Sequence, residues 1–142
     1  MLNGRRGVRR KAAALILFVY GIAFPLIAGA DEAPIASGTR TNGKAHLDVL
    51  SLRRTEGNTV TLRIAVTNDD NQPLTIQLSL INLVDLVNHQ IYNSGLNSPR
   101  CSVPPGERLI CWAIFAAPNA SVKSVNVTLN EDFGLIPTPI QN

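Results

Sequence analysis

The chain has 142 residues, 45% of them hydrophobic, and a formal net charge of +3. Five of its thirteen basic residues lie within the first eleven positions, whereas all ten acidic residues follow residue 30, so residues 31–142 carry a formal charge of −2. The basic residues of the leader are therefore no argument for binding to nucleic acid or to anionic membranes. The length after residue 30 allows one modest domain with a single core.

Residues 1–30 are predicted to form a secretory signal helix that is cleaved from the mature chain. Basic residues up to Lys11 precede an apolar run over residues 12–28, and small residues ending at Ala30 follow it. These are the basic, apolar and cleavage regions of a signal peptide. The alternative is an uncleaved membrane anchor, although the apolar run is short for a bilayer span. Either leader directs the chain out of the cytoplasm, and cleavage gives a periplasmic or secreted protein.

Residues 31–45 are predicted to be a flexible lead-in. Small and turn-forming residues dominate this segment, and Ile35 is its only large apolar side chain. Residues 46–54 are then predicted to form the first strand. The apolar positions change parity between Val49 and Leu50, which indicates a β-bulge or a strand buried on both faces.

The clearest periodic signal in the chain lies in residues 58–68, which are predicted to form a strand buried on one face. Gly57 and Asn58 tolerate positive φ, so they are predicted to join this strand to the first one in a hairpin. Large apolar residues occupy every second position of the strand, and they are Val60, Leu62, Ile64 and Val66.

The middle of the chain is predicted to contain a third strand over residues 74–83, because leucine and isoleucine alternate there with polar residues. A strand end, a tight turn near Asn88 and His89, and a short return strand to Tyr92 are predicted next. Residues 93–100 are predicted to be a loop because of their Gly and Pro.

Residues 101–103 and 108–116 are predicted to pair as a hairpin around the Pro104-Pro105-Gly106 turn. Both faces of the second segment are apolar, which is typical of a central strand. Its tryptophan, Trp112, is predicted to anchor the core or to fill the mouth of the sandwich, with a ligand-binding platform as the alternative. A hairpin here would bring Cys101 and Cys111 close together.

The last predicted strands cover residues 121–130 and an edge segment within residues 131–142, where prolines bar a central position. About seven short strands over residues 46–142 predict an all-β, immunoglobulin-like β-sandwich.

Cys101 and Cys111 are the only cysteines of the chain, and both follow the predicted leader. An oxidising compartment favours a structural disulfide between them. A metal site would need more ligands, and a redox pair usually has the Cys-x-x-Cys spacing, which these two residues lack.

Candidate chemistry is sparse. His46 and Asp48 share a strand face and could be two metal ligands, with His89 as a third from elsewhere in the chain, but a hydrogen-bonded or solvated histidine is the simpler interpretation. No Gly-x-Ser-x-Gly motif presents a nucleophile. The sequence therefore predicts no catalytic residues, no metal, no cofactor and no enzyme activity.

Three arginines, Arg53, Arg54 and Arg63, are predicted to line neighbouring strands of the first hairpin as a cationic stripe. A solvated face with local ion pairs is the alternative to an interaction surface. If the chain has such a surface, these residues give it its densest charge.

Several stretches together resemble the immunoglobulin-like domains found in exported bacterial proteins and lipoproteins. The resemblance implies a compact sandwich of mostly uncharacterised function, and it bears on fold more than on activity. The residues that carry it are residues 50–62, Val66-x-Asn68, Leu83-x-Asp85-x-x-Asn88-x-x-x-Tyr92, Pro105-Gly106, Cys111-Trp112-Ala113-x-Phe115-x-Ala117-Pro118, Val122, Val125 and Val127.

The sequence thus predicts a small exported binding module of the bacterial cell envelope that acts through a sheet face or edge. Its expected partner is an envelope protein or a second copy of itself, with no nucleic acid, and with membrane contact only through the leader during export. The alternative prediction is a periplasmic carrier of a metal or small ligand.

Overall fold

The computed structural model describes residues 32–129 and 132–142, which belong to one compact unit, Asp31–Asn142. The predicted leader, residues 1–30, lies outside the described residues. Within the described part of the chain, no helix is long and apolar enough to cross a membrane.

The described residues form eleven short strands and one 3₁₀ turn, Leu78–Leu80. In chain order, the strands are β1 Ala36–Thr39, β2 Ala45–Thr55, β3 Thr59–Asn68, β4 Leu74–Thr75, β5 Ile81–Asp85, β6 Gln90–Asn93, β7 Leu96–Asn97, β8 Ser102–Val103, β9 Arg108–Ala116, β10 Ser124–Leu129 and β11 Leu135–Pro139.

Nine of these strands form two antiparallel sheets. The larger sheet has the order β1-β2-β3-β9-β7, the smaller one has the order β11-β10-β5-β6, and β4 pairs separately with β8. Apolar residues of both sheets meet in one buried cluster, in which Phe115 from the larger sheet and Leu83 from the smaller are almost fully enclosed. This arrangement confirms the predicted all-β sandwich.

The hairpin of β2 and β3 forms the centre of the larger sheet, as the sequence predicts. Gly57 and Asn58 both have positive φ, at 75° and 57°, so the chain reverses in the three residues between Thr55 and Thr59. The register of the two strands shifts between Val49 and Ser51, which confirms the β-bulge, one of the two predicted alternatives. The four alternating apolar side chains of β3 are completely buried, and they are Val60, Leu62, Ile64 and Val66.

A disulfide joins Cys101 to Cys111 on the core side of β9, with the two Cα atoms 6.0 Å apart. Cys101 and Cys111 are 2% and 1% exposed. The predicted bridge is therefore formed, but the predicted hairpin is wrong, because β8 pairs with β4 and not with β9. The bridge thus ties β9 to a segment outside its own sheet.

The flexible lead-in predicted for residues 31–45 is wrong for β1, which pairs with β2 from Ala36 opposite Val49 to Thr39 opposite His46. This strand has no apolar pattern in the sequence because its side chains are small. Gly38 suits the site because a Cβ there would come within 2.6 Å of the Cδ1 atom of Ile136 on β11. The missing side chain lets β1 and β11 approach closely where the two sheets meet.

The third strand predicted over residues 74–83 is also wrong as one continuous element. β4 ends after two residues, the 3₁₀ turn follows, and the chain enters the smaller sheet only at Ile81. The predicted loop over residues 93–100 contains β7, which pairs with β9 at the edge of the larger sheet. These short pieces raise the count above the predicted seven strands.

The C-terminal segment follows the prediction of an edge position. β11 lies at one edge of the smaller sheet, consistent with the missing N–H groups of Pro137 and Pro139. Beyond it, Gln141 forms a parallel bridge to Arg53 of β2, with Arg54 N–H donating to the Gln141 carbonyl at 3.0 Å.

Candidate functional site

The outer face of the larger sheet, opposite the core, carries an apolar cluster that we call the outer apolar patch. Three members come from alternate positions of β9, and the fourth comes from β7, where Leu96 pairs with Ile114. Residues two apart on a strand, and residues paired across strands, share a face of the sheet. The members are Leu96, Ile110, Trp112 and Ile114.

Solvent reaches most of this patch. Leu96 is 69% exposed, Ile110 is 53% exposed and Trp112 is 39% exposed, while Ile114 is partly buried. Single exposed apolar residues are common on proteins, but a contiguous group on a flat sheet face is characteristic of a binding surface.

The prediction that Trp112 anchors the core is wrong. Its neighbours along β9, Cys111 and Ala113, point into the core and are each 1% exposed, so the strand period places Trp112 on the opposite face. The backbone N–H of Trp112 donates to Ser98 Oγ at 2.8 Å, and its carbonyl accepts from Ser98 N–H at 2.9 Å. The strand beneath the indole is thereby held in place, while the ring itself remains on the surface.

Arg63 lies directly beside the patch, because it pairs with Trp112 across β3 and β9. Its guanidinium donates to both carboxylate oxygens of Glu32, at 2.8 and 3.1 Å. The first described residue thus reaches the outer face and neutralises the cation there. The ion pair is partly exposed, so it contributes little to stability but fixes the position of two opposite charges at the border of the patch.

The three predicted surface arginines do not form one stripe. Arg53 is exposed and pairs with Thr61 on the face that also carries Arg63. Arg54 points the other way, and its guanidinium donates to the carbonyls of Pro118 at 2.7 Å, Asn119 at 2.9 Å and Val122 at 3.0 Å. It therefore supports the loop between β9 and β10, and it is not part of the outer face.

Of the residues weighed as metal ligands, His89 is separated by the fold from His46 and Asp48. His46 lies on β2, where its Nε2 is 2.9 Å from Asp69 Oδ2, and Asp48 accepts hydrogen bonds from Ser37 and Arg108. His89 lies in the β5–β6 turn of the other sheet, with φ of 53°. Among the described residues, no group of three His, Cys, Asp or Glu side chains is placed to hold a metal ion.

Asp85 organises the β5–β6 turn. Its Oδ1 accepts from the N–H groups of Val87 and Asn88, at 3.0 and 3.1 Å, and its Oδ2 accepts from Asn88 Nδ2 at 2.6 Å. These hydrogen bonds, that from the Asn88 side chain above all, hold the pKa of the Asp85 carboxyl below its usual value of 3.8. The hydrogen bonds of the turn thus favour the ionised form of Asp85.

Sequence reasoning identified the apolar residues on both faces of β9 but not which face is exposed. A strand covered on both sides and a strand with an exposed apolar face have the same sequence pattern. Leu96 was missed for a different reason, since it lies in a stretch whose Gly and Pro residues indicate a loop. No signal in the sequence placed it beside Ile114.

Two antiparallel sheets around one core, with these connections, form an immunoglobulin-like β-sandwich. No known protein family matches the chain, and no curated protein matches it. Among solved structures, the chain is similar to MPT63, a secreted protein from Mycobacterium tuberculosis, with a TM-score of 0.53 and 17% sequence identity. The similarity covers 72% of this chain and 90% of that one. MPT63 is itself an immunoglobulin-like β-sandwich, so the likeness supports the fold.

Proposed function

We propose that the protein is an exported, non-enzymatic binding module of the bacterial cell envelope, related to the immunoglobulin-like domains of exported proteins, and that its docking surface is the outer apolar patch. Export is supported by the leader-like residues 1–30, by the disulfide between Cys101 and Cys111, and by the likeness to a secreted protein. The non-enzymatic part rests on the sequence, which has no nucleophile motif.

One observation carries the proposal: the outer apolar patch exposes Leu96, Ile110 and Trp112 on a sheet whose other face already supplies the core. Burying apolar area stabilises by about 25 cal/mol per Å², so solvation of this patch costs free energy that a bound partner would recover. Tryptophan is also enriched among the residues that dominate binding energy at interfaces.

The partner that we propose is a second copy of the chain, docked patch to patch about a two-fold axis. In such a contact the same residues meet from both sides, so apolar side chains face apolar side chains. The border of the patch is suited to this arrangement because it carries opposite charges in fixed positions, Arg63 and Glu32. A two-fold axis that passed close to this border would bring Arg63 of each copy near Glu32 of the other, so that opposite charges would face one another.

The experiment uses Trp112, which is the only tryptophan in the chain. Sedimentation velocity and tryptophan emission are measured on the purified mature domain over a wide concentration range. We expect a dimer to form as the concentration rises, with a blue shift of the emission over the same range, because association removes water from the indole. A monomer with constant emission at every concentration would contradict self-association through this patch.

A matched pair of variants assigns the contact to one face. Ile110→Asp places a carboxylate in the patch, and Leu135→Asp places one at an equally exposed position, 53% in both cases, on the smaller sheet. We expect Ile110→Asp to weaken association by roughly 100-fold, since a buried unpaired charge costs several kcal/mol. Leu135→Asp is expected to leave association unchanged, and equal effects of the two variants would point to a different interface.

A further inference from the structure

A second candidate surface is polar, and it lies between β6 and the loop that joins β9 to β10. Two adjoining hollows of about 430 and 270 Å³ share Asn88, Ser121 and Val122 in their walls. We call the combined depression the amide groove. Most of the side chains that line the larger hollow are neutral and polar: Asn88, Gln90, Tyr92, Asn119 and Ser121, with Ala117 and Val122 as the apolar members.

Hydrogen bonds of Arg54 and Asp85 hold the two walls of the groove in position. Arg54 binds three carbonyls of the loop, at Pro118, Asn119 and Val122, and so fixes one wall. Asp85 holds the backbone and the Nδ2 group of Asn88, and so fixes the start of the other wall. A groove whose polar groups are positioned before binding loses less conformational entropy when a ligand arrives.

Each of three amide side chains in the groove has one group engaged and one group available. Asn88 uses Nδ2 on Asp85, Asn119 uses Oδ1 on Ser121, and Gln90 uses Oε1 to accept from the Tyr92 hydroxyl at 3.1 Å. Within the described residues, Asn88 Oδ1, Asn119 Nδ2 and Gln90 Nε2 have no hydrogen-bond partner. The groove therefore offers one acceptor and two donors in fixed positions.

The charged side chains near the groove already have hydrogen-bond partners within the protein, which favours a neutral ligand. The guanidinium of Arg54 is bound to carbonyls, and Lys123 Nζ donates to the Ala120 carbonyl at 3.1 Å, so no cation is directed at an anionic ligand. Both carboxylate oxygens of Asp85 accept hydrogen bonds from the turn, so a cation finds no unoccupied carboxylate there. An apolar ligand would leave the amide groups unpaired, at a cost for each.

We infer that the amide groove binds a neutral saccharide. Sugar hydroxyls both donate and accept, and neighbouring hydroxyls on a ring match the mixed donors and acceptor of Asn88, Gln90 and Asn119. The two hollows adjoin through Asn88, Ser121 and Val122, so the groove has room for more than one sugar ring. This site is separate from the outer apolar patch and does not depend on it.

The test is titration of ¹⁵N-labelled mature domain with maltotriose, cellotriose and chitotriose, with glycerol as a control polyol. We expect at least one trisaccharide to shift the side-chain amide signals of Asn88, Gln90 and Asn119 in a saturable way, while glycerol does not. The inference is overturned if no trisaccharide produces saturable shifts at these side chains. Equal shifts with glycerol would overturn it too, because they would indicate a general effect of polyols.

Variants separate a specific site from weak surface contact. Gln90→Leu removes the available Nε2 donor, and Tyr92→Phe removes the hydroxyl that orients Gln90 while keeping the ring that packs against the core. We expect Gln90→Leu to weaken binding by roughly tenfold, as loss of one hydrogen bond does, and Tyr92→Phe by less. Gln72→Leu, at an exposed glutamine outside the groove, is the matched control and should leave affinity unchanged. Equal affinity of Gln90→Leu and wild type would overturn the assignment.

Discussion

The two faces of β9 have similar composition and opposite surroundings. Cys111, Ala113 and Phe115 face the smaller sheet and are each 1% exposed, whereas Ile110 and Trp112 face solvent at 53% and 39%. The difference arises from what the rest of the chain supplies, since one face is covered by a second sheet and the described residues leave the other largely open. An apolar strand face in the sequence therefore indicates a surface that favours burial, but it does not show whether the same chain or a partner covers that face.

The largest effect should come from the enclosed face. Phe115→Ala removes a side chain that the core surrounds on all sides, and we expect the free energy of unfolding to fall by about 3–5 kcal/mol. Urea denaturation followed by far-ultraviolet circular dichroism measures it. A loss below about 1 kcal/mol would mean that this face is less tightly packed than the structure shows.

The disulfide tests the same face by a covalent route. The bond joins residues separated by 10 positions. Closing a loop of that length lowers the conformational entropy of the unfolded chain, which stabilises the fold by about 3 kcal/mol. We expect the double variant Cys101→Ser, Cys111→Ser to lose about that much stability in urea denaturation. Added reductant should lower the stability of the wild type by a similar amount and leave the double variant unaffected. Insensitivity of the wild type to reductant would contradict a role for the bond.

Gly38 tests how closely β1 and β11 approach at the edge of the core. Gly38→Val introduces a branched side chain where Ile136 already lies, and we expect a loss of about 1–3 kcal/mol in the free energy of unfolding. Gly95→Ala is the control, because a Cβ there meets only the Ile114 carbonyl at an ordinary 3.7 Å. Calorimetric melting of both variants separates the two sites, and equal losses would show that crowding at Ile136 is not the cause.

Asp85 is a buried polar residue of β5, and its contribution to stability should depend on pH. Because its folded pKa is depressed below 3.8, ionisation of Asp85 stabilises the fold above that pH, and the stabilisation is lost as the pH falls through the lower, folded value. At neutral pH we expect Asp85→Asn to lower the free energy of unfolding, by less than Gly38→Val does. Because asparagine cannot ionise, the difference in stability between the variant and the wild type should narrow below pH 3.8. Thermal melts across this range measure it, and a constant difference would exclude the carboxylate as its origin.

The smallest effect on stability should come from the outer face. Trp112→Ser changes a residue that the core does not enclose, and we expect the free energy of unfolding of the monomer to change by no more than about 0.5 kcal/mol. The same variant should abolish the proposed self-association in sedimentation velocity. A loss comparable to that of Phe115→Ala would mean that the indole belongs to the core after all.

The sequence predicts the fold best where local signals agree. β3 combines strict alternation with a Gly57-Asn58 turn, and the bulge in β2 follows from a change of parity at Val49, so both were predicted correctly. Pro137 and Pro139 predicted an edge strand because proline lacks the N–H that a central strand needs.

The sequence fails where long-range packing decides. β1 consists of Ala, Ser, Gly and Thr, which have no apolar pattern, and it forms because it fits between β2 and β11. The partner of β8 could not be predicted either, since a tight turn before β9 favours a local hairpin and the disulfide is compatible with both pairings.

The candidate surfaces were less predictable than the fold. Arg63 belongs to β3 and lies opposite Ser51, and its ion pair with Glu32 depends on where residues before β1 lie. The amide groove draws on β6 and on the loop after β9, which are far apart in sequence and contain no motif in common. Only the packing of the two sheets brings Gln90 and Asn119 into one depression.

The bridge between Gln141 and Arg53 has a consequence for how the protein is made. β2 receives its edge partners from opposite ends of the domain, β1 from before it and the segment at Gln141 from nearly ninety residues later. A polypeptide is synthesised from its N-terminus, so β2 gains this partner only after residue 141 has been synthesised. The sheet is therefore completed only after this segment has been synthesised, and a nascent chain that ends before residue 141 lacks this pairing.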